Sequence, residues 1–140
     1  YVERWPEIAK LLVDAGHEIG NHTYSHLNGW TTFNQEYLKD IALCGRLVDS
    51  ELFRPPYGKI RPTQVAALKN RYRIVMWDVL SRDYDITMSG EAVLEKVMAE
   101  ARPGSIIVFH DSLKAESRLR FALPKVLEHF SRQGYRFGSL

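Results

Sequence analysis

Two histidines, His22 and His26, are separated by three residues in the segment Asn-His-Thr-Tyr-Ser-His. Imidazole nitrogens ligate zinc, and a catalytic zinc site takes about three protein ligands and leaves one position for water. The bound ion lowers the pKa of that water towards neutrality, which prepares it to attack a carbonyl carbon. The same spacing also fits two loop histidines that make ordinary hydrogen bonds. A hydrolytic metal site therefore needs support from other residues.

A second candidate group contains Arg54, Asp83 and His110. Arg54 opens the segment Arg-Pro-Pro-Tyr-Gly, which predicts a rigid turn because proline fixes φ and glycine permits a tight bend. A buried arginine at a strand end needs a carboxylate partner, and Asp83 or a carboxylate outside this chain could serve. His110 follows four apolar residues and is either a core histidine satisfied by hydrogen bonds or a general acid held by a nearby carboxylate.

The elements that position these residues alternate between helices and short apolar strands. Helices are predicted to begin at Pro6, at a cap Asn34, at Thr63 and at a cap Ser89, with a last helix within residues 122–132. Strands are predicted at residues 17–20, 52–53, 74–77 and 106–109, with a last one at residues 135–137. The two central apolar runs do not alternate with polar residues, which is typical of strands covered on both faces. This pattern predicts one α/β domain with a parallel sheet over residues 1–140.

The candidate residues follow the carboxyl ends of the predicted strands. His22 and His26 follow the first strand, Arg54 the second, Asp83 the third and His110 the fourth. In α/β barrels and open parallel sheets, chemistry occurs at these strand ends. We therefore expect the candidates to converge on one rim.

The composition excludes several classes of protein. The net charge is +2 and the basic residues are scattered, so nucleic acid is not an expected partner. No apolar run approaches the roughly 20 residues that span a bilayer, so no membrane span is expected in this chain. The one cysteine, Cys44, cannot form an intramolecular disulfide and is predicted to be a buried thiol. The chain shows no signal peptide and does not begin with Met, so we expect it to be a fragment or a processed product.

At this point the motifs resemble a known family. The segment His-Thr-Tyr-Ser-His at residues 22–26 is similar to the metal motif of the polysaccharide deacetylases, carbohydrate esterase family 4 with the NodB-homology domain. Residues 54–58 resemble the third motif of that family, and residues 107–111 resemble its fifth. The three motifs occur in the family's order, and the resemblance extends over residues 1–140.

The resemblance implies a fold, a cofactor and a reaction. The fold is a distorted (β/α) barrel, the cofactor is a divalent metal, commonly zinc, held by His22 and His26, and the reaction is hydrolysis of acetyl groups from an acetylated polysaccharide. Polymers of N-acetylglucosamine such as chitin or peptidoglycan are the expected substrates, with xylan and other acetylated glycans open. The family resemblance also favours a secreted or cell-envelope location.

The resemblance further implies a role for each candidate residue. Arg54 would position the catalytic base, and His110 would protonate the leaving amine under the control of Asp83. The substrate-binding residues would be Tyr57, whose backbone N–H would stabilise the oxyanion, together with Pro56, the aromatic wall Tyr84, and Val108 in the pocket for the acetyl methyl group.

Two departures from the family pattern matter. The fourth motif normally reads Asp-x-x-Asp-Trp, whereas Asp83 and Tyr84 here keep only the second Asp and replace Trp with Tyr. The first motif, Thr-Phe-Asp-Asp, supplies the base and a third metal ligand and is absent from the sequence. We therefore expect an N-terminally incomplete domain that is inactive by itself, with an open sheet edge that could pair with another chain or segment.

Two alternatives remain open at the level of sequence. One is a non-catalytic carbohydrate-binding homologue of the same fold, which would lack the Asp pair altogether. The other is a metallohydrolase of a different barrel family, which would leave the turn at residues 54–58 without a role.

Overall fold

The computed structural model describes residues 1–140, which fall into two compact units. The first unit comprises Tyr1–Met76 with Ser139–Leu140, and the second comprises Trp77–Gly138. The elements are α1 (Pro6–Asp14), α2 (Asn34–Cys44), β1 (Leu52–Phe53), α3 (Pro62–Leu68), β2 (Arg73–Ile74), β3 (Val79–Leu80), α4 (Gly90–Glu100), β4 (Ile107–Val108) and α5 (Glu116–Arg132). None of these helices combines the length and the apolar character needed to span a membrane.

The first unit is built on a parallel strand pair and a core of large side chains. β1 pairs with β2 in the register Leu52 to Arg73, and α3 provides the crossover between them. α2 and α3 surround a cluster formed by Tyr37, Ile41, Phe53, Leu68 and Tyr72. Burial of these side chains contributes roughly 1.5–3 kcal/mol each for the aliphatic members and fixes the strand that carries Arg54.

Two local predictions in the first unit were wrong. The strand expected at residues 17–20 is reduced to a single parallel bridge between Asn21 and Phe53. Asn34 is the first residue of α2 rather than its cap, which is Phe33, because the Asn34 amide donates to Thr63 Oγ1 and accepts from Gln64. Sequence alone does not show that such a tertiary partner competes with the capping position.

The first helix is amphipathic but buries none of its residues in this structure. It begins with Pro6 at its first turn and is followed by Gly16 at a φ of 82°, as its residue types predict. Ile8 is 51% exposed and Leu11 is 66% exposed. The helix itself is confirmed, but no core of the first unit covers its apolar face.

The hydroxyl of Tyr37 gives a stability prediction. It is buried without a hydrogen-bond partner, and burial, with the nearby charge of Asp40, raises the pKa of Tyr37 to about 12. An unsatisfied buried donor costs about 1–3 kcal/mol, so Tyr37→Phe should raise the free energy of unfolding by about 1 kcal/mol. Tyr72→Phe is the matched control, because its hydroxyl accepts from Asn21 Nδ2 at 3.3 Å. Denaturant unfolding that shows equal losses in both variants would contradict this account.

The second unit repeats the strand, helix, strand arrangement. β3 pairs with β4 in parallel, Val79 to Ile107, with α4 as the crossover. Ser89 caps α4 as predicted, since its Oγ accepts the N–H of Ala92. Val79 also belongs to the core of this unit, which continues with Val97, Val126 and Phe130.

Several boundaries differ from the sequence predictions. The strand expected at residues 106–109 is limited to Ile107–Val108, and the one expected at residues 135–137 does not form. The strand expected at residues 74–77 ends at Ile74 as β2, and a separate strand, β3, begins at Val79. α3 begins at Pro62 rather than Thr63. The last helix, expected within residues 122–132, is Glu116–Arg132 and contains Pro124 in its interior. Proline usually ends a helix, so the polar first half of α5 was not recognised.

The fold class is confirmed at the level of parallel strands joined by helices. The four strands form two separate two-stranded sheets. The closed barrel that the family resemblance implies is therefore not confirmed. The prediction of one domain over residues 1–140 stays a prediction.

Candidate functional site

His22 and His26 lie together in the first unit. Their ring centroids are 5.0 Å apart at an interplanar angle of 70°, and the His26 ring also meets the Tyr57 ring at 4.8 Å. The position of His22 follows from the strand register, because the adjacent Asn21 forms a parallel bridge with Phe53 of β1. The backbone carbonyl of Asn21 accepts the N–H of Arg54 at 2.9 Å. The spacing of the histidines in the sequence thus brings two imidazoles to one place.

The hydrogen bond of His22 suits a metal ligand. Its Nδ1 lies 2.6 Å from the carbonyl oxygen of Arg54. Because a carbonyl oxygen can only accept, Nδ1 carries the proton and Nε2 carries the lone pair that can coordinate a metal. Histidine ligands usually donate their other ring N–H to a carbonyl or carboxylate in this way. No group of three His, Cys, Asp or Glu residues in the chain could hold an ion, so His22 and His26 could supply at most two of the about three ligands of a catalytic zinc site.

Within the first unit, Arg54 donates its hydrogen bonds to backbone carbonyl groups. Its Nε donates to the carbonyl of Val75 at 3.3 Å and its Nη2 to the carbonyl of Met76 at 3.4 Å. Burial lowers the pKa of the guanidinium. A carboxylate partner for Arg54, either Asp83 or one outside these residues, stays a prediction. Carbonyl oxygens after β2 satisfy the half-buried arginine, and sequence patterns do not reveal such acceptors.

The turn predicted after β1 is present, and its backbone is strained at Tyr57. Pro56–Gly58 form a short 3-10 turn in which Tyr57 has φ 60° and Gly58 has φ 66°. Pro56 is buried, whereas Tyr57 is 61% exposed. Non-glycine residues at positive φ cost about 1–3 kcal/mol and cluster at functional sites. The turn therefore presents the Tyr57 ring to solvent beside His26.

In the second unit, Asp83 holds His110 through both of its carboxylate oxygens. Oδ1 lies 2.7 Å from the ring Nδ1 of His110, and Oδ2 accepts the backbone N–H of His110 at 2.7 Å. Burial opposes ionisation of Asp83, but the hydrogen bonds from His110 and Ser81 outweigh it and lower the pKa of Asp83. Nδ1 is thus the protonated ring nitrogen of neutral His110, and Nε2 is the nitrogen that can exchange a proton.

The other predicted residues of the second unit surround this pair or its strand. The Tyr84 ring meets the His110 ring at 4.8 Å and 79°, and Val108 is buried in β4. Arg118, which sequence reasoning missed, donates from Nε to the Asp83 carbonyl at 2.6 Å. Arg118 belongs to the unpredicted first half of α5, so no sequence signal marked it.

The lowered pKa of Asp83 predicts a pH-dependent stability. A depressed carboxyl pKa stabilises the folded state above the unfolded value of about 3.9, and this contribution disappears as pH falls through the lower folded value. The difference in unfolding free energy between wild type and Asp83→Asn should shrink as pH falls below about 4. Asp49→Asn controls for the loss of one exposed carboxylate. A difference that persists unchanged to pH 2 would contradict this assignment.

The chain that carries these two groups of residues is similar to known proteins. Residues 1–74 match the family Polysaccharide deacetylase. The peptidoglycan-N-acetylglucosamine deacetylase of Bacillus cereus is 33% identical over 144 aligned residues, which cover 97% of this chain and 67% of the relative. This chain belongs to the polysaccharide deacetylase family. The family resemblance drawn from residues 22–26, 54–58 and 107–111 is thereby confirmed.

Solved structures extend the comparison to both units of this deacetylase-family chain. A peptidoglycan N-acetylglucosamine deacetylase in complex with 4-naphthalen-1-yl-N-oxidanyl-benzamide has TM-score 0.88 and 32% identity, covering 99% of this chain and 68% of that one. A family 4 pseudoenzyme from Bacillus anthracis has TM-score 0.81 and 27% identity, covering 99% of this chain and 50% of that one. The chain thus spans from half to about two thirds of the length of these proteins.

Proposed function

We propose that the protein is a metal-dependent deacetylase of a polymer containing N-acetylglucosamine, such as peptidoglycan or chitin. The observation that carries the proposal is the His22 and His26 pair, with the tautomer of His22 set by the Arg54 carbonyl. The B. cereus relative with 33% identity is a peptidoglycan-N-acetylglucosamine deacetylase, which supports the substrate class. Because peptidoglycan belongs to the cell envelope, the proposed location of the protein is the cell envelope.

His22 and His26 are proposed to hold a divalent ion, with zinc the best match to two imidazoles. When bound, the ion would act as a Lewis acid towards the acetyl carbonyl. The ligand of the solved deacetylase carries an N-hydroxyamide, whose two oxygens can chelate a metal, and this supports a metal in the family site. The third ligand and the base are proposed to come from the Asp pair of the family's first motif, which these 140 residues lack.

The chain's own residues are proposed to handle the proton and the sugar. Asp83 keeps the His110 ring oriented and supports its charged form, and His110 then gives a proton from Nε2 to the leaving amine nitrogen. Acetate and a free amino group on the polymer are the products. The role of Arg54 is to fix the His22 loop through its backbone and to position the base.

Substrate contacts are proposed for four residues around these groups. The backbone N–H of Tyr57 would stabilise the oxyanion, and Pro56 would hold that turn in place. Val108 would line the pocket for the acetyl methyl group. Tyr84 would offer an aromatic wall to a sugar ring.

A non-catalytic carbohydrate-binding role is the second candidate, because one solved neighbour is a family 4 pseudoenzyme. Acetate release by the intact protein separates the two functions. Incubation with N-acetylglucosamine oligomers and peptidoglycan should release acetate, with acetylated xylan as the comparison substrate. Binding of the oligomers without acetate release from any substrate would support the non-catalytic role and contradict the proposal.

A further inference from the structure

The segment between the two histidines has a backbone that its residue types disfavour. Thr23 has φ 63° and His26 has φ 56°, both in the left-handed region. A β-branched residue such as threonine is a genuine outlier there. Such conformations persist only where the surrounding structure determines them more than once. The geometry of the histidine loop, residues 22–26, therefore depends on contacts from outside it.

Asp40 supplies two of these contacts from α2. Its Oδ2 accepts the backbone N–H of Tyr24 and that of Ser25, each at 2.9 Å. Both donors lie between the two histidines, and Asp40 itself is buried at 7% exposure. Hydrogen bonds from N–H groups to a carboxylate are roughly twice as strong as neutral ones. Asp40 thus fixes the middle of the histidine loop to the helix that forms the core of the unit.

Two further side chains complete the attachment of the loop. Asn21 Oδ1 accepts the N–H of Thr23 at 3.0 Å, and Thr23 Oγ1 accepts the N–H of Leu27 at 3.1 Å. Asn21 is fully buried, and its Nδ2 donates to the carbonyl of Ile41 at 2.9 Å. These bonds hold the ends of the histidine loop, whereas the bonds from Tyr24 and Ser25 to Asp40 hold its centre.

We propose that Asp40 is a positioning residue for the metal ligands. It acts through the backbone of Tyr24 and Ser25 and sets the separation of His22 from His26. This inference rests on the proposed function, since it assigns a metal to those histidines. Asp40 orders the loop before the ion binds. Its loss should therefore raise the Kd for the metal by a large factor while lowering the stability of the fold only modestly. Replacement of groups that orient metal ligands typically lowers affinity 10–100-fold.

The test measures Zn²⁺ affinity of the intact protein by competition with a chromophoric chelator. Asp40→Ala should raise the Kd for Zn²⁺ about 10–100-fold. Asp40→Asn, which keeps an oxygen acceptor but loses the charge, should raise the Kd by less. Leu68→Ala is the control for stability. Leu68 belongs to the core cluster that includes residues of α2, and it takes part in none of the hydrogen bonds that hold the histidine loop. The Leu68→Ala substitution should lower Tm and leave the Kd unchanged.

Amide hydrogen exchange in the metal-free protein gives a second readout. The amides of Tyr24 and Ser25 should be protected in wild type and Leu68→Ala, and exchange faster in Asp40→Ala. An unchanged Zn²⁺ Kd in the Asp40 variants would overturn the proposal, and if Asp40→Ala does not fold, an unchanged Kd in Asp40→Asn decides against it. Wild-type protein that binds no Zn²⁺ would overturn the proposed metal site itself, which separates the two failures.

Discussion

Replacing His22 or His26 with alanine should abolish deacetylation by the intact protein. Each substitution removes one of the two metal ligands proposed for this chain, and His22→Ala also removes the hydrogen bond to the Arg54 carbonyl. A metal acting as a Lewis acid stabilises the transition state by several kcal/mol. At about 1.4 kcal/mol for each factor of ten, the expected loss in kcat/KM is about 10³-fold or more.

The zinc content of each variant, compared with that of a matched control, tests this prediction. Each variant should retain far less zinc than the wild type after dialysis, whereas its Tm without metal should change little. His17→Ala is the control, because His17 is an exposed histidine outside the candidate motifs. Undiminished metal content in both His22→Ala and His26→Ala would remove these residues from the metal site.

The second large effect concerns His110. General acid–base catalysis contributes about 10²–10⁴-fold, so His110→Ala should lower kcat on that scale while the metal stays bound. Asp83→Asn should act in the same direction, because the amide no longer supports the charged form of the ring held at 2.7 Å. The double variant should lose little more than His110→Ala alone, since both residues serve one proton transfer.

The control for this prediction is Asp111→Asn, an exposed carboxylate next to His110 in the sequence. Rates measured across pH would add a signature, since loss of the general acid should change the limb of the profile on which the wild-type rate falls as pH rises. Full kcat in His110→Ala would show that another group protonates the leaving amine. Full kcat in Asp83→Asn would limit Asp83 to a structural role.

The residues of the candidate site were predictable where chemistry coincides with a local motif. His22 and His26 meet because three intervening residues form one turn at the end of the Asn21 bridge. The pairing of Asp83 with His110 was implied by the family resemblance, and the structure brings both residues together after the parallel strands β3 and β4. The first case needed only local spacing, whereas the second also needed the resemblance.

The supporting residues were not predictable, because their partners are backbone groups distant in sequence. Arg54 donates to two carbonyls after β2, and no sequence pattern marks those carbonyls as its acceptors. Asp40 resembles any polar residue of an amphipathic helix until the structure shows it beneath the histidine loop. Arg118 likewise lies in a polar stretch of α5 that sequence reasoning treated as a loop.

The ends of the strands could not be predicted from the sequence either. An apolar run at residues 74–77 reads as one strand, yet hydrogen bonding to β1 ends with the N–H of Val75, which donates to Phe53. The next pairing begins at Asp78, because the N–H groups of Asp78 and Val79 both donate to the carbonyl of Ile106. Hydrophobicity reports burial, whereas strand limits depend on which neighbour offers backbone groups.

Metal reconstitution of the intact protein tests the central claim most directly. The protein would be depleted of metal with a chelator and titrated with Zn²⁺ while acetate release from N-acetylglucosamine oligomers is measured. We expect no activity in the depleted protein and recovery that saturates at about one ion per chain, as a single three-ligand site requires. His22→Ala and His26→Ala should not recover under the same titration. Depleted protein that releases acetate at the full rate would contradict metal-dependent deacetylation through these histidines.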